Sequence, residues 1–245
     1  MSFADMRAIA LLGRDWAELG PLGLAELPDG GAIALSRGAL PKAYAHTDPN
    51  EDAALVVRTA AGVLLAVADG FNGGEASELA IDRARARAAE LVEASGDAFR
   101  SEVTRLADDV LAALPRRSRS RSCLVLAALR GESVEIASLG DSNAFVAGAA
   151  HALASENSLL LGNPESLRSA RPELFHLRFT RAGGERVALV SDGITNFIAD
   201  PTRIPRLLAE SATDLAAARA VAEAALDGGA GDNVAVAVFA GRAGV

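Results

Sequence analysis

The stretch GVLLAVADGFNGGEAS, residues 62–77, runs from an apolar segment into a carboxylate and then a glycine-rich turn. Val63 to Ala68 carries no polar side chain, the mark of a strand covered on both faces. The run stops at Asp69. Gly70, Gly73 and Gly74 follow before a helical pattern starts at Glu75. A buried strand with an acid at its tip is costly unless something there compensates the charge.

Working outward, AALVVRT (53–59) precedes this strand across Ala60-Ala61 and reads as its hairpin partner. GAIALS (31–36) reads as a first strand. An alanine-rich helix is expected from Glu75 to near Gly96. A second helix places Phe99, Val103, Leu106, Val110 and Leu114 on one face, and Pro115 ends it. SCLVLAAL (122–129), SVEIASL (133–139) and NAFVAG (143–148) return to strand pattern, and residues 155–172 read as an irregular loop. LFHLRFT (174–180) and RVALVS (186–191) read as another hairpin around Gly183-Gly184. PTRIPRLLAE and DLAAARAVAEAAL read as helices, the latter with Asp214 as N-cap, and NVAVAVFA as the last strand. Hairpins in two groups, with helices between and after them, argue for an α+β fold of two stacked antiparallel sheets flanked by helices. Residues 1–25, broken by Gly20, Pro21 and Gly23, read as an appendage to a single domain over 26–245.

Half of the 245 residues are apolar and 23% are charged, with a net charge of −8. Such a balance argues against a nucleic-acid or anionic-membrane surface. The lone Cys123 rules out an internal disulfide and suits a reducing compartment. No stretch is apolar for long enough to span a bilayer, so a cytoplasmic protein is expected. One local exception to the acidic balance is RRSRSRS, Arg116 to Ser122. It reads either as a solvated turn or as a docking patch for an acidic or phosphorylated partner.

Acids recur where apolar runs begin or end: Glu51 and Asp52, Asp69, Asp141, Asp192 and Asp232. Each alone is an ordinary turn residue. Strand ends of stacked sheets gather at one edge, however, and carboxylates about 4 Å apart repel by roughly 4 kcal/mol at an effective dielectric of 20. Two acids can share a proton, but four or five cannot. Divalent cations would balance them, and an oxygen-only donor set points to Mg²⁺ or Mn²⁺.

Taken in order, Asn50-Glu51-Asp52, VADGFNGGEAS, GDSN, VSDG and GDNVAVAV resemble the type 2C, or PPM, metal-dependent serine/threonine phosphatases of bacterial type. The resemblance covers roughly residues 30 to 240. It implies an αββα sandwich with two Mn²⁺ or Mg²⁺ ions at one edge, and a third, weaker ion in many members. Asp69 would bridge both ions and the Gly70 carbonyl would hold one of them. Asp192 and Asp232 would hold the other, Asp52 and Glu51 would act through water, and Asp141 would serve the third ion. The implied reaction is attack of a metal-bridged hydroxide on a phosphomonoester, with phosphoserine or phosphothreonine in a protein as substrate. Two arginines of the family pattern are absent: the segment PKAYAHTDPNED, leading into the Glu-Asp pair, holds none, and Asn143 follows Asp141-Ser142. Phe71 stands where some members carry histidine. Lys42, His46 and Arg37 are the candidates for gripping phosphate instead. A weakly active regulatory module and a small-metabolite phosphatase stand as the alternatives; a glycosidase would leave all but two of the acids unexplained.

Overall fold

The computed structural model describes residues 6–148, 152–153, 157–164, 174–200 and 202–241. Eleven strands in the described residues form two antiparallel sheets. The first contains β1 (Arg7–Leu12), β4 (Ala53–Arg58), β5 (Val63–Phe71), β6 (Arg121–Arg130), β7 (Ser133–Leu139) and β9 (Phe175–Thr180), in the order β1-β4-β5-β6-β7-β9. The second contains β2 (Gly23–Glu26), β3 (Ala32–Ser36), β8 (Asn143–Val146), β10 (Val187–Val190) and β11 (Val234–Phe239), in the order β2-β3-β11-β10-β8. Helices α1 (Glu75–Ala86), α2 (Ala88–Glu93) and α3 (Asp97–Ala113) cover the first sheet. Helices α4 (Asp192–Thr195), α5 (Arg203–Glu210) and α6 (Asp214–Asp227) cover the second.

This layering explains why the strands are apolar without interruption. Side chains alternate between faces along a strand. Leu64, Ala66 and Ala68 of β5 therefore join the core under α1–α3, while Val63, Leu65 and Val67 join the core between the sheets. β11 divides the same way: Ala235 and Ala237 face the sheet interface, and Val234, Val236 and Val238 face α6. The abundant alanine is concentrated where helices approach sheets, with Ala217, Ala218, Ala222 and Ala225 fully buried on α6. Phe99, Val103, Leu106 and Val110 of α3 are buried on one face, as their spacing predicts.

Four expectations need correction. Within the segment expected as an appendage over 1–25, residues 7–12 and 23–26 are sheet strands: β1 pairs with β4 and β2 with β3, and each closes the open edge of a sheet. Their weak periodicity is that of half-exposed edge strands. Second, β9 and β10 are no hairpin. β9 pairs with β7 and β10 with β8 and β11, so the chain crosses between sheets at residues 181–186. Third, the helix expected from Glu75 to Gly96 breaks at Arg87, which pairs with Asp109 and Glu102 of α3. Finally, the N-cap of α6 is Thr213, whose hydroxyl accepts from the Ala216 N–H at 3.1 Å. Asp214 instead accepts from the Gly31 N–H (2.9 Å) and the Arg186 guanidinium (3.1 Å), tying α6 to the sheet end.

Most of the loop expected over 155–172 lies outside the described residues. Among the described residues no helix is long and apolar enough to cross a membrane.

Candidate metal centre

Antiparallel pairing puts the acids at one edge. β4 begins where β5 ends, with Ala53 opposite Ala68, so Asp52 and Asp69 project from the same end of adjacent strands. β10 ends beside the start of β11, which brings Asp192 near Asp232. Leu139 at the end of β7 lies opposite Leu124, one residue from Cys123, the register partner of Asp69; Asp141 follows just beyond. Acids separated by up to 180 positions in sequence thus converge through strand register within each sheet and the stacking of the two sheets.

Their electrostatics record the crowding. Burial, reinforced by the charges of Asp52 and Asp192, holds the Asp69 carboxyl well above the ordinary carboxylate range. Burial also pushes Asp52 up to about 8, against a lowering by Lys42. Asp192 is raised by burial, then by Asp232 and Asp141, although hydrogen bonds with Asp69 and Asn196 pull the other way. Among the described residues, no three acids already close on one point as a finished ligand shell. Two of them nevertheless carry orphaned oxygens: Asp52 Oδ2 and Asp141 Oδ1 are buried without a hydrogen-bond partner. Buried carboxylate oxygens lacking a donor, in an oxygen-only set, fit hard divalent cations.

Glu51 has a different position. Its Oε1 accepts from the backbone N–H groups of Gly73 (2.5 Å), Thr47 (3.2 Å) and Asp48 (3.3 Å), and its Oε2 from Lys42 (3.1 Å). It organises the loops around the site. Gly70 also has a structural reason beyond the one expected: a Cβ there would overlap the Glu51 carbonyl oxygen and lie 2.8 Å from Ser77 Oγ. Gly193 likewise allows Asp192 to pass the Asn233 carbonyl, which a side chain would overlap.

The three phosphate-grip candidates separate. Lys42 is buried, with Nζ 3.1 Å from Glu51 and 3.4 Å from Asp232. Burial lowers its pKa, but Asp52, Asp232 and Glu51 outweigh that and keep it charged. It is a resident counter-ion of the acids. Arg37 donates to the Ala17 carbonyl at 2.8 Å, and the exposed His46 places Nδ1 3.1 Å from the Tyr44 carbonyl. Neither has a hydrogen bond or ion pair to the acids.

Three residues near the centre were not singled out for these roles in the sequence. Tyr44, half exposed, sets its hydroxyl 2.6 Å from both oxygens of Asp232, with Lys42 5.4 Å from its ring centroid. Asn233 clamps the site: it accepts from the Glu51 N–H at 2.9 Å and donates to the Arg37 and Pro49 carbonyls. Gly13 donates to the Asp52 carbonyl at 2.8 Å, and Asn50 donates to the Trp16 carbonyl, so the N-terminal segment braces the Asn50–Asp52 turn from behind. Asn233 and Asn50 stood inside motifs, GDNV and Asn50-Glu51-Asp52; Tyr44 and Gly13 did not.

Residues 41–228 match the sequence profile of the protein phosphatase 2C family. No match is found among curated protein sequences. Among solved structures, PppA, described as a key regulatory component of the type VI secretion system in Pseudomonas aeruginosa, is 26% identical. It has a TM-score of 0.67, with 85% of this chain and 95% of that chain covered. The catalytic domain of the serine/threonine phosphatase PstP, in complex with two manganese ions, is 24% identical with a TM-score of 0.60, covering 89% and 98%. The PPM phosphatase MsPP of Mycobacterium smegmatis, in complex with cacodylate, is 22% identical with a TM-score of 0.61, covering 89% and 100%. The profile spans most of the chain and the neighbours share its two helix-covered sheets: the chain belongs to the protein phosphatase 2C family and is a metal-dependent serine/threonine phosphatase.

Proposed function

We propose that Asp52, Asp69, Asp141, Asp192 and Asp232, with the Gly70 carbonyl, hold a pair of Mn²⁺ or Mg²⁺ ions, and that the enzyme removes phosphate from serine or threonine in proteins. The observation that carries this is the gathering of five aspartates from strand ends of both sheets, two with orphaned buried oxygens. Two manganese ions in the PstP neighbour support the number. Bound there, such ions supply Lewis-acid activation of water and neutralise the phosphoryl group. The chain's own residues do the rest. Asp69, fixed by the buried strand β5, stands between the Asp52 side and the Asp192 side of the cluster. Asn233 and Glu51 hold the surrounding loops rigid, as a site needing sub-ångström placement requires. No serine or cysteine is needed as nucleophile, and Cys123 is unsuited to be one: burial and the neighbouring Asp69 and Asp141 push its thiol far up.

Hydrolysis of an aryl phosphate should require added Mn²⁺ or Mg²⁺, vanish with a chelator and return with the metal. On panels of phosphopeptides and phosphorylated metabolites, kcat/KM should favour the peptides. Metal-independent turnover would remove the cation assignment, and preference for metabolites would remove the protein substrate. Cytoplasmic placement belongs to the same proposal, since its substrates and the reduced state of Cys123 both suit that compartment.

The position of Lys42 leads to a quantitative expectation. An ammonium 3.4 Å from Asp232 competes with any cation placed there. Lys42→Met should therefore bind Mn²⁺ about 10-fold more tightly by calorimetric titration, a change of about 1.4 kcal/mol. Equal or weaker binding would show that the ammonium lies outside the ions' field.

A further inference from the structure

The arginine-rich segment between α3 and β6 is built outward from the site's edge. Arg117, Arg119 and Arg121 alternate with Ser118, Ser120 and Ser122, and the serines face in. Ser118 donates to Glu75 at 2.5 Å, and its hydroxyl accepts from the Ser120 N–H at 3.1 Å. The Ser120 hydroxyl donates to the Gly73 carbonyl and accepts from the Ala76 N–H at 2.9 Å. Ser122 exchanges backbone hydrogen bonds with Leu161. Ser118 and Ser120 thus pin the segment to the start of α1, the helix that follows the Asp69-Gly70 turn. Arg116, Arg117 and Arg119 are exposed, and none has an acidic partner among the described residues. They form a cationic patch on a chain of net charge −8.

Strand register places the patch relative to the chemistry. Cys123 lies opposite Asp69 and Arg121 opposite Phe71. Arg119 is four residues from Cys123, at most about 14 Å at roughly 3.4 Å per extended residue. A substrate chain running from the metal centre covers about the same distance per residue. We propose that Arg116, Arg117 and Arg119 bind acidic side chains about three to six positions to one side of the phosphorylated residue, selecting phosphoproteins with an acidic flank. This rests on the phosphatase reading above. The surrounding negative charge disfavours an extended polyanion such as nucleic acid or a lipid surface, whereas a short acidic stretch needs only the patch.

The test compares two phosphopeptides sharing one phosphoserine, one with glutamates at the flanking positions and one with glutamines, alongside an aryl phosphate. Wild-type kcat/KM should be about 10-fold higher for the acidic peptide, and added salt should shrink the gap. The triple variant Arg116→Glu, Arg117→Glu, Arg119→Glu should abolish or invert the preference while aryl phosphate hydrolysis stays within about twofold. Hydrolysis of both peptides at equal rates by the wild type would overturn the inference and leave the phosphatase assignment standing. Failure on aryl phosphate with Mn²⁺ would instead count against that assignment. Fluorescence anisotropy with the unphosphorylated acidic peptide then decides the patch by itself: binding lost in the variant supports it, while unchanged binding, or wild-type preference for anionic vesicles, overturns it.

Discussion

Asp69→Asn is expected to lower Mn²⁺-dependent aryl phosphate hydrolysis by at least about 10³-fold, roughly 4 kcal/mol of transition-state stabilisation. The substitution keeps the shape of the side chain and removes one negative charge at the centre of the cluster. Its effect on the metal-free fold should have the opposite sign. Asp69 is buried among Asp52, Asp192 and Asp141, which resist its ionisation. Removing the charge should leave the metal-free stability unchanged or raise it by on the order of 1 kcal/mol, read as an equal or higher melting temperature. Lost turnover with retained or increased stability separates a functional carboxylate from a structural one. A variant within tenfold of wild-type rate would exclude Asp69 from the reaction, and a destabilised one would mark it as part of the scaffold.

Glu135→Ala should act in reverse, costing about 3 kcal/mol of stability with little direct effect on the chemistry. Glu135 is fully buried on β7, far along the strand from Asp141. It accepts from Arg130 (2.9 Å), His176 (2.9 Å) and the Gly96 N–H (2.9 Å), and Arg178 lies 3.8 Å away. Arg130 in turn donates to the Val92 and Ala94 carbonyls at the end of α2. One carboxylate therefore joins β6, β7, β9 and the α2–α3 turn. Burial alone would raise its pKa, but hydrogen bonds from Ser95, His176, Gly96 and Arg130 outweigh it and hold it below the ordinary glutamate value. A lowered folded pKa means a contribution fully present above the unfolded value near 4.5 and lost as pH falls through the folded one. The Glu135 contribution should thus fade as pH drops below about 5, so the stability advantage of the wild type over Glu135→Gln in denaturant should shrink over that range. Identical pH slopes would show that the ion pairs contribute nothing net.

Much of the candidate site, the acids that meet at the strand ends, was legible because its residues sit at punctuation marks. An aspartate beside a glycine at the end of an unbroken apolar run stands out against a strand buried on both faces, as at Asp69 and Asp192. The helix face of α3 was legible for the same reason: periodicity reflects burial directly. Lys42, Tyr44 and Asn233 were not legible in those roles. Nothing about a lysine in a loop distinguishes an ammonium that grips substrate from one committed to Glu51 and Asp232. The residues that brace Asp52 from behind, Gly13 and Trp16, lay in a segment whose edge strands bury too little to show a period.

By itself the sequence determined the two-sheet, helix-covered class, the family resemblance and the aspartates that end or begin strands. These are local consequences of where apolar runs stop. Only the tertiary structure decided which strands pair, so that β9 and β10 part into different sheets, that residues 7–12 and 23–26 close sheet edges, and that a lysine neutralises the acids from within. Those outcomes depend on register and on charges meeting across long sequence separations, which no pattern along the chain encodes.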